Sequence, residues 1–138
     1  MDVIFLDIDG VLLTHSHRSF DPRAQALVLR LIQETRAKVV ISSSWAVRGK
    51  ETVLSLFQIN GVRLGPLLHE QWSAVDHADR NVAIRRWLAT QRPARFVAID
   101  DWPLALEQAV RTDPALGFTE ADYAAAARLM GVGPTPRP

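Results

Sequence analysis

Residues 3–11 read Val3-Ile4-Phe5-Leu6-Asp7-Ile8-Asp9-Gly10-Val11, an apolar run closed by two carboxylates and a glycine. Val3 to Ile8 predicts a buried strand, because a parallel strand covered on both faces has no polar side to alternate. Side chains alternate along a strand, so Asp7 and Asp9 fall on one side if extended geometry persists. Gly10 then permits a sharp turn.

Working outward, Asp21-Pro22 reads as an N-cap followed by proline at the first helical position. Leu27, Val28, Leu31 and Ile32 follow at helical spacing and predict a helix to about Arg36. Lys38 to Ile41 predicts a second buried strand, running into Ser42-Ser43-Ser44. Val53, Leu54, Leu56 and Phe57 predict a helix closed by Asn60-Gly61. Residues 61–78 read as loop with room for one short strand. Val82, Ile84, Trp87 and Leu88 predict a helix ending before Pro93. Arg95 to Ile99 predicts a third strand, ending in Asp100-Asp101. A short helix around Leu104–Gln108 and a brief strand near Val110-Arg111 are expected next. Thr119-Glu120-Ala121-Asp122 resembles a capping box and predicts a last helix reaching Met130. Strands alternating with helices mean right-handed βαβ units. The expected fold is an α/β, doubly wound, mostly parallel sheet with helices on both faces. Residues 1–130 form one domain in this reading, and 131–138 a flexible tail.

Composition narrows the function classes. The 138 residues carry 16 Lys+Arg against 15 Asp+Glu, a net charge of +1. That balance supplies no basic nucleic-acid footprint. No apolar run approaches the ~20 residues that span a bilayer, and Asp7 interrupts the first run too early for a secretory signal. With no cysteine, disulfides, zinc–thiolate sites and thiol nucleophiles are excluded. A cytoplasmic protein with no membrane partner is expected.

The polar residues collect where such a sheet binds ligands, beyond the carboxyl ends of its strands. Asp7, Asp9 and Gly10 follow the first strand, Ser42, Ser43 and Ser44 the second, and Asp100 and Asp101 a later one. Converging carboxylates need a neutralising cation, and an all-oxygen set suits Mg²⁺. A carboxylate beside Mg²⁺ can attack phosphorus. A second, two residues on, can protonate the leaving oxygen, and a hydroxyl on the next strand can hold a phosphoryl oxygen.

These residues resemble the motifs of the haloacid dehalogenase (HAD) superfamily of phosphotransferases. Phe5 to Val11 is similar to its first motif, Val39 to Ser43 to its second, and Ile99-Asp100-Asp101 to its acidic fourth. The resemblance is closer to the small HAD domains related to those of bacterial RNA-repair proteins. It extends through Ser42-Ser43-Ser44-Trp45, Arg80 to Trp87-Leu88, and Thr112 to Thr119. It implies Asp7 as nucleophile and Asp9 as general acid/base. It also implies Mg²⁺ held by Asp7, Asp9 (through its backbone carbonyl) and Asp100 or Asp101. Ser43 is the implied phosphate-binding hydroxyl, with Ser42 the alternative. Ser44, Gly10 and Lys50 complete the substrate-binding candidates. The family's third motif is normally a lysine, and this chain has only Lys38 and Lys50. Arg80 opens the helix where that cation is expected; Lys50 is its rival.

The expected activity is a Mg²⁺-dependent phosphatase acting on a phosphorylated small molecule or a nucleic-acid end. A non-catalytic HAD-like binding module and a receiver-like signalling domain are the alternatives. Receivers place the acceptor aspartate on a middle strand and a lysine on the last, whereas here the middle strand ends in serine. His15 and His17 follow Asp9 in a loop beside any substrate, although loop histidines are ordinarily solvated. Trp45 and Trp102 each follow a site strand and read as packing residues before base-stacking ones. Neither residues 11–20 nor the stretch before Arg80 is long enough for a separate cap domain. The site mouth is therefore expected to be open, for a large substrate or a lid supplied by a protein partner. The oligomeric state stays open.

Overall fold

Every residue of Val3–Leu6 (β1) is buried, which only the middle of a sheet with two covered faces allows. The computed structural model describes residues 1–15, 18–75 and 79–132. The other strands are Lys38–Ile41 (β2), Leu68–Ser73 (β3), Phe96–Asp100 (β4) and Ala109–Arg111 (β5). They pair in the order β3-β2-β1-β4-β5, all parallel. The helices are Pro22–Thr35 (α1), Lys50–Ile59 (α2), Arg80–Gln91 (α3) and Glu120–Leu129 (α4).

The pleat divides the core. Ile4, Leu6, Val39, Ile41, Val97 and Ile99 pack with the apolar stripes of α1, α2 and α4. Val3, Phe5, Val40 and Ala98 pack on the other face against Ile84 and Trp87 of α3. There Phe5 meets Trp87 edge-on, with ring centroids 5.2 Å apart. This is the doubly wound α/β sheet expected from the sequence, and among the described residues no further element forms a cap domain. Among the described residues no helix is long and apolar enough to cross a membrane.

Local signals set the boundaries. Asp21 caps α1 by accepting from the Arg23 and Ala24 amides. Thr119 and Asp122 form a reciprocal capping box on α4. Gly131 (φ +74°) and Val132 close α4, donating to the Arg128 and Ala127 carbonyls. The rest of the expected tail, 133–138, lies outside the described residues.

Three expectations change. Strand β1 stops at Leu6 rather than Ile8, because the amides of Val11, Leu12 and Leu13 all converge on the Ile8 carbonyl and curl the chain. Residues 68–73 form a full edge strand, which its sequence conceals because only Leu68 is buried. No helix forms at Leu104–Gln108. The Ala105 amide donates to Asn81 and its carbonyl accepts from Arg85, both on α3, so α3 replaces the hydrogen bonds of a helical turn.

Candidate active site

Strands β1 and β4 are neighbours, and their carboxyl ends bring Asp7 beside Asp100 and Asp101. Ligand oxygens of these three carboxylates all lie within 4.8 Å of one another. Asp7 and Asp100 are buried and Asp101 is half-buried. The position of Asp101 depends on Gly10, which holds φ +81°. A Cβ there would lie 2.5 Å from the Asp101 carboxyl carbon. The Thr112 hydroxyl, buried next to β5, donates to the Gly10 carbonyl at 2.7 Å and fixes this turn.

Arg80 reaches the cluster from the first residue of α3. Asp79 caps that helix by accepting from the Asn81 and Val82 amides, which places Arg80 over the strand ends. Its Nη1 lies 2.8 Å from each oxygen of Asp100 and 3.3 Å from Oδ2 of Asp7. The Trp102 amide donates to Asp100 Oδ1 at 3.0 Å, and the Trp102 ring lies 5.5 Å from the Arg80 guanidinium carbon. Trp102 is 63% exposed. It is therefore not the packing residue expected, because it leaves β4 in a bend rather than on an apolar face.

Burial and the facing Asp100 push the Asp7 carboxyl from 3.8 up to about 9, outweighing the pull of Arg80. Burial also raises Asp100, although the Trp102 amide and Arg80 oppose it. Arg80 loses some charge preference to burial but is raised overall by Asp7, Asp100 and Asp101. Arg80 holds both oxygens of Asp100 and only one of Asp7, so its pull bears more on Asp100. Three carboxylates against one guanidinium leave the cluster short of positive charge. An oxygen-only donor set of this size fits a hard divalent cation.

Asp9 follows Asp7 by two residues. Its carboxylate is exposed and lies outside the three-carboxylate cluster, because the chain has already begun to turn at Ile8. Oδ2 of Asp9 instead accepts from the Trp45 indole N–H at 3.1 Å. Ser42 and Ser43 are buried at the end of β2. The Ser43 hydroxyl caps a 3₁₀ turn, Ser44–Arg48, by accepting from the Trp45 amide at 3.2 Å. Ser44 is exposed and lines a cleft of about 400 Å³ with Asp9, Trp45, Val47 and Arg48. Lys50 opens α2 on the surface and pairs with no carboxylate among the described residues. Lys38 donates to the Pro66 carbonyl near the opposite end of β2. His15 is exposed at a turn; His17 and His77 lie outside the described residues.

Sequence reasoning missed Arg48 and Thr112. Arg48 could have been found from its i,i+3 spacing to Trp45. Thr112 entered only as the start of the Thr112–Thr119 resemblance, and its contact with Gly10, 102 residues away, had no local signal.

Comparison with protein families matches residues 3–123 to the HAD domain in Swiss Army Knife RNA repair proteins. Neither curated proteins nor solved structures yielded a match. The chain belongs to this family, and through it to the HAD superfamily of phosphohydrolases.

Proposed function

We propose that this HAD domain is a Mg²⁺-dependent phosphatase that hydrolyses a phosphomonoester through an aspartyl-phosphate. The observation that carries the reading is the convergence of Asp7, Asp100 and Asp101 within 4.8 Å, beneath one guanidinium, at adjacent strand ends. Mg²⁺, held by Asp7, by Asp100 or Asp101 and by the Asp9 backbone carbonyl, would supply the positive charge that ionises Asp7 and offsets the phosphoryl oxygens.

The residues of the chain divide the remaining work. An ionised Asp7 oxygen attacks phosphorus, and the bond from phosphorus to the ester oxygen breaks with its electron pair on that oxygen. Asp9 gives its proton to the departing oxygen. Water then attacks phosphorus, Asp9 takes the proton of that water, and the bond to Asp7 breaks to release inorganic phosphate. Arg80 neutralises the carboxylate pair and offers N–H donors to the phosphoryl oxygens, the part a lysine takes in most of the superfamily. The Ser43 hydroxyl, which accepts from the Trp45 amide, donates its proton to a phosphoryl oxygen in this reading, with Ser42 as the alternative. The exposed Asp9 carboxylate gives the leaving group an open path, which suits a nucleotide or nucleic-acid end as well as a small phosphate.

Turnover of an aryl phosphate by wild type and by Asp7→Asn, with and without Mg²⁺, tests this. Activity that needs both Mg²⁺ and Asp7 is expected. Activity retained by Asp7→Asn would rule out the aspartyl-phosphate.

A further inference from the structure

The cleft beside Asp9 is a separate feature from the carboxylate cluster. It measures about 400 Å³ and is lined by Asp9, Ser44, Trp45, Val47 and Arg48. A general acid must lie within hydrogen-bond reach of the oxygen it protonates. On the phosphatase reading above, on which this inference rests, the leaving group must emerge on the Asp9 side, and this cleft is what it meets.

The walls state what they can recognise. Arg48 lies with its guanidinium carbon 4.5 Å from the centroid of the Trp45 ring. Among the described residues it forms no ion pair. Stacking on an indole orients a guanidinium while leaving its in-plane N–H fork available. Arg48 also covers a face of Trp45, so the cleft offers cationic N–H donors rather than a bare aromatic slot. Ser44 adds an exposed hydroxyl, and Val47, 76% exposed, adds no shape that selects. Trp45 joins the two parts of the site, because its ring carries Arg48 and its indole N–H holds Asp9.

We propose that this cleft is the leaving-group subsite and that Arg48 reads a second anionic group on the substrate, one phosphate or carboxylate beyond the ester that is cleaved. The chain then prefers doubly anionic phosphomonoesters to simple ones.

Adenosine 3′,5′-bisphosphate and adenosine 5′-monophosphate are suitable probes, since they share a base and differ by one phosphate. Two quantities are measured for wild type, Arg48→Ala and Arg48→Lys. One is the ratio of kcat/KM for the two nucleotides; the other is the ratio of their affinities by calorimetry in an Asp7→Asn background. Wild type is expected to favour the bisphosphate by about tenfold or more, the scale of one charge-assisted contact. Arg48→Ala should bring both ratios to within about twofold of one, and Arg48→Lys should retain part of the preference. A wild-type ratio near one, or a preference that survives Arg48→Ala, overturns the subsite while turnover leaves the phosphatase reading standing. An Arg48-dependent binding preference without turnover of either nucleotide reduces Arg48 to an anion-binding residue and overturns the leaving-group subsite. Absence of both binding and turnover overturns the subsite, and the aryl phosphate assay then decides the phosphatase reading.

Discussion

Arg80 Nη1 sits 2.8 Å from both oxygens of Asp100, joining the first residue of α3 to the last residue of β4. A cation placed between two buried carboxyls is a structural counter-ion. Its removal leaves charge buried without a partner, which typically costs about 3–5 kcal/mol. Arg80→Ala should therefore lower the melting temperature of the metal-free protein. Saturating Mg²⁺ should then raise that temperature more in the variant than in wild type, because the ion takes over the neutralisation. Aryl phosphate turnover should fall by about 10²–10³. Equal Mg²⁺ gains in the two proteins would show that Arg80 and the metal do not share the same carboxylates.

The Asp7 carboxyl carries a pH dependence of known sign. It is pushed from 3.8 up to about 9 by burial first and then by Asp100. Between those values the unfolded chain releases a proton that the metal-free folded chain keeps, so stability falls as pH rises through the window. Melting temperatures of the metal-free protein should decline from pH 5 to pH 8. Asp7→Asn, which cannot ionise, should flatten that decline and melt higher at pH 8. Mg²⁺ affinity should rise with pH over the same range, because binding displaces the proton. Parallel pH profiles for wild type and Asp7→Asn would show that Asp7 ionises freely in the fold.

Much of this site can be read in the chain because its acids and hydroxyls terminate apolar runs. Asp7 and Ser43 come just after, and Asp100 closes, a strand whose burial dictates its composition. The partnerships are another matter. Arg80 and Asp100 lie 20 residues apart, Asp9 and Trp45 lie 36 apart, and Arg80 and Asp7 lie 73 apart. Which side chains meet depends on how α3 and the Ser44–Arg48 turn sit over the sheet, and local pattern does not encode that. The edge strand Leu68–Ser73 hides for a related reason. With only Leu68 buried, it shows neither the continuous apolar run of a central strand nor clean alternation.

Gly10 holds Asp101 in place by what it lacks. At φ +81° an L-residue is strained, and a Cβ would lie 2.5 Å from Asp101 Oδ2 and 2.7 Å from its Cβ. Gly10→Ala should destabilise the protein by about 1–3 kcal/mol. It should also weaken Mg²⁺ binding measured by calorimetry, because Asp101 must move away. Thermal melting that shows the loss without any change in Mg²⁺ affinity would remove Asp101 from the ligand set.

The indole N–H of Trp45, 3.1 Å from Asp9 Oδ2, restrains an otherwise exposed carboxylate. A general acid that samples several rotamers spends less time in line with the leaving oxygen, so loss of this donor should act on kcat. Trp45→Phe keeps an aromatic ring against the core and removes the N–H together with the five-membered ring that bears it. It should lower kcat about tenfold, change KM little, and leave the melting temperature within about 2 °C of wild type. A packing defect could imitate the loss in rate, so the decisive comparison uses an Asp9→Asn background. Asp9→Asn alone should cost about 10²–10⁴ in rate. If Trp45 works by positioning Asp9, adding Trp45→Phe to that variant should cost nothing more, since the group being positioned is gone. The same tenfold loss in both backgrounds would mean that Trp45 acts through the walls of the cleft and not through Asp9.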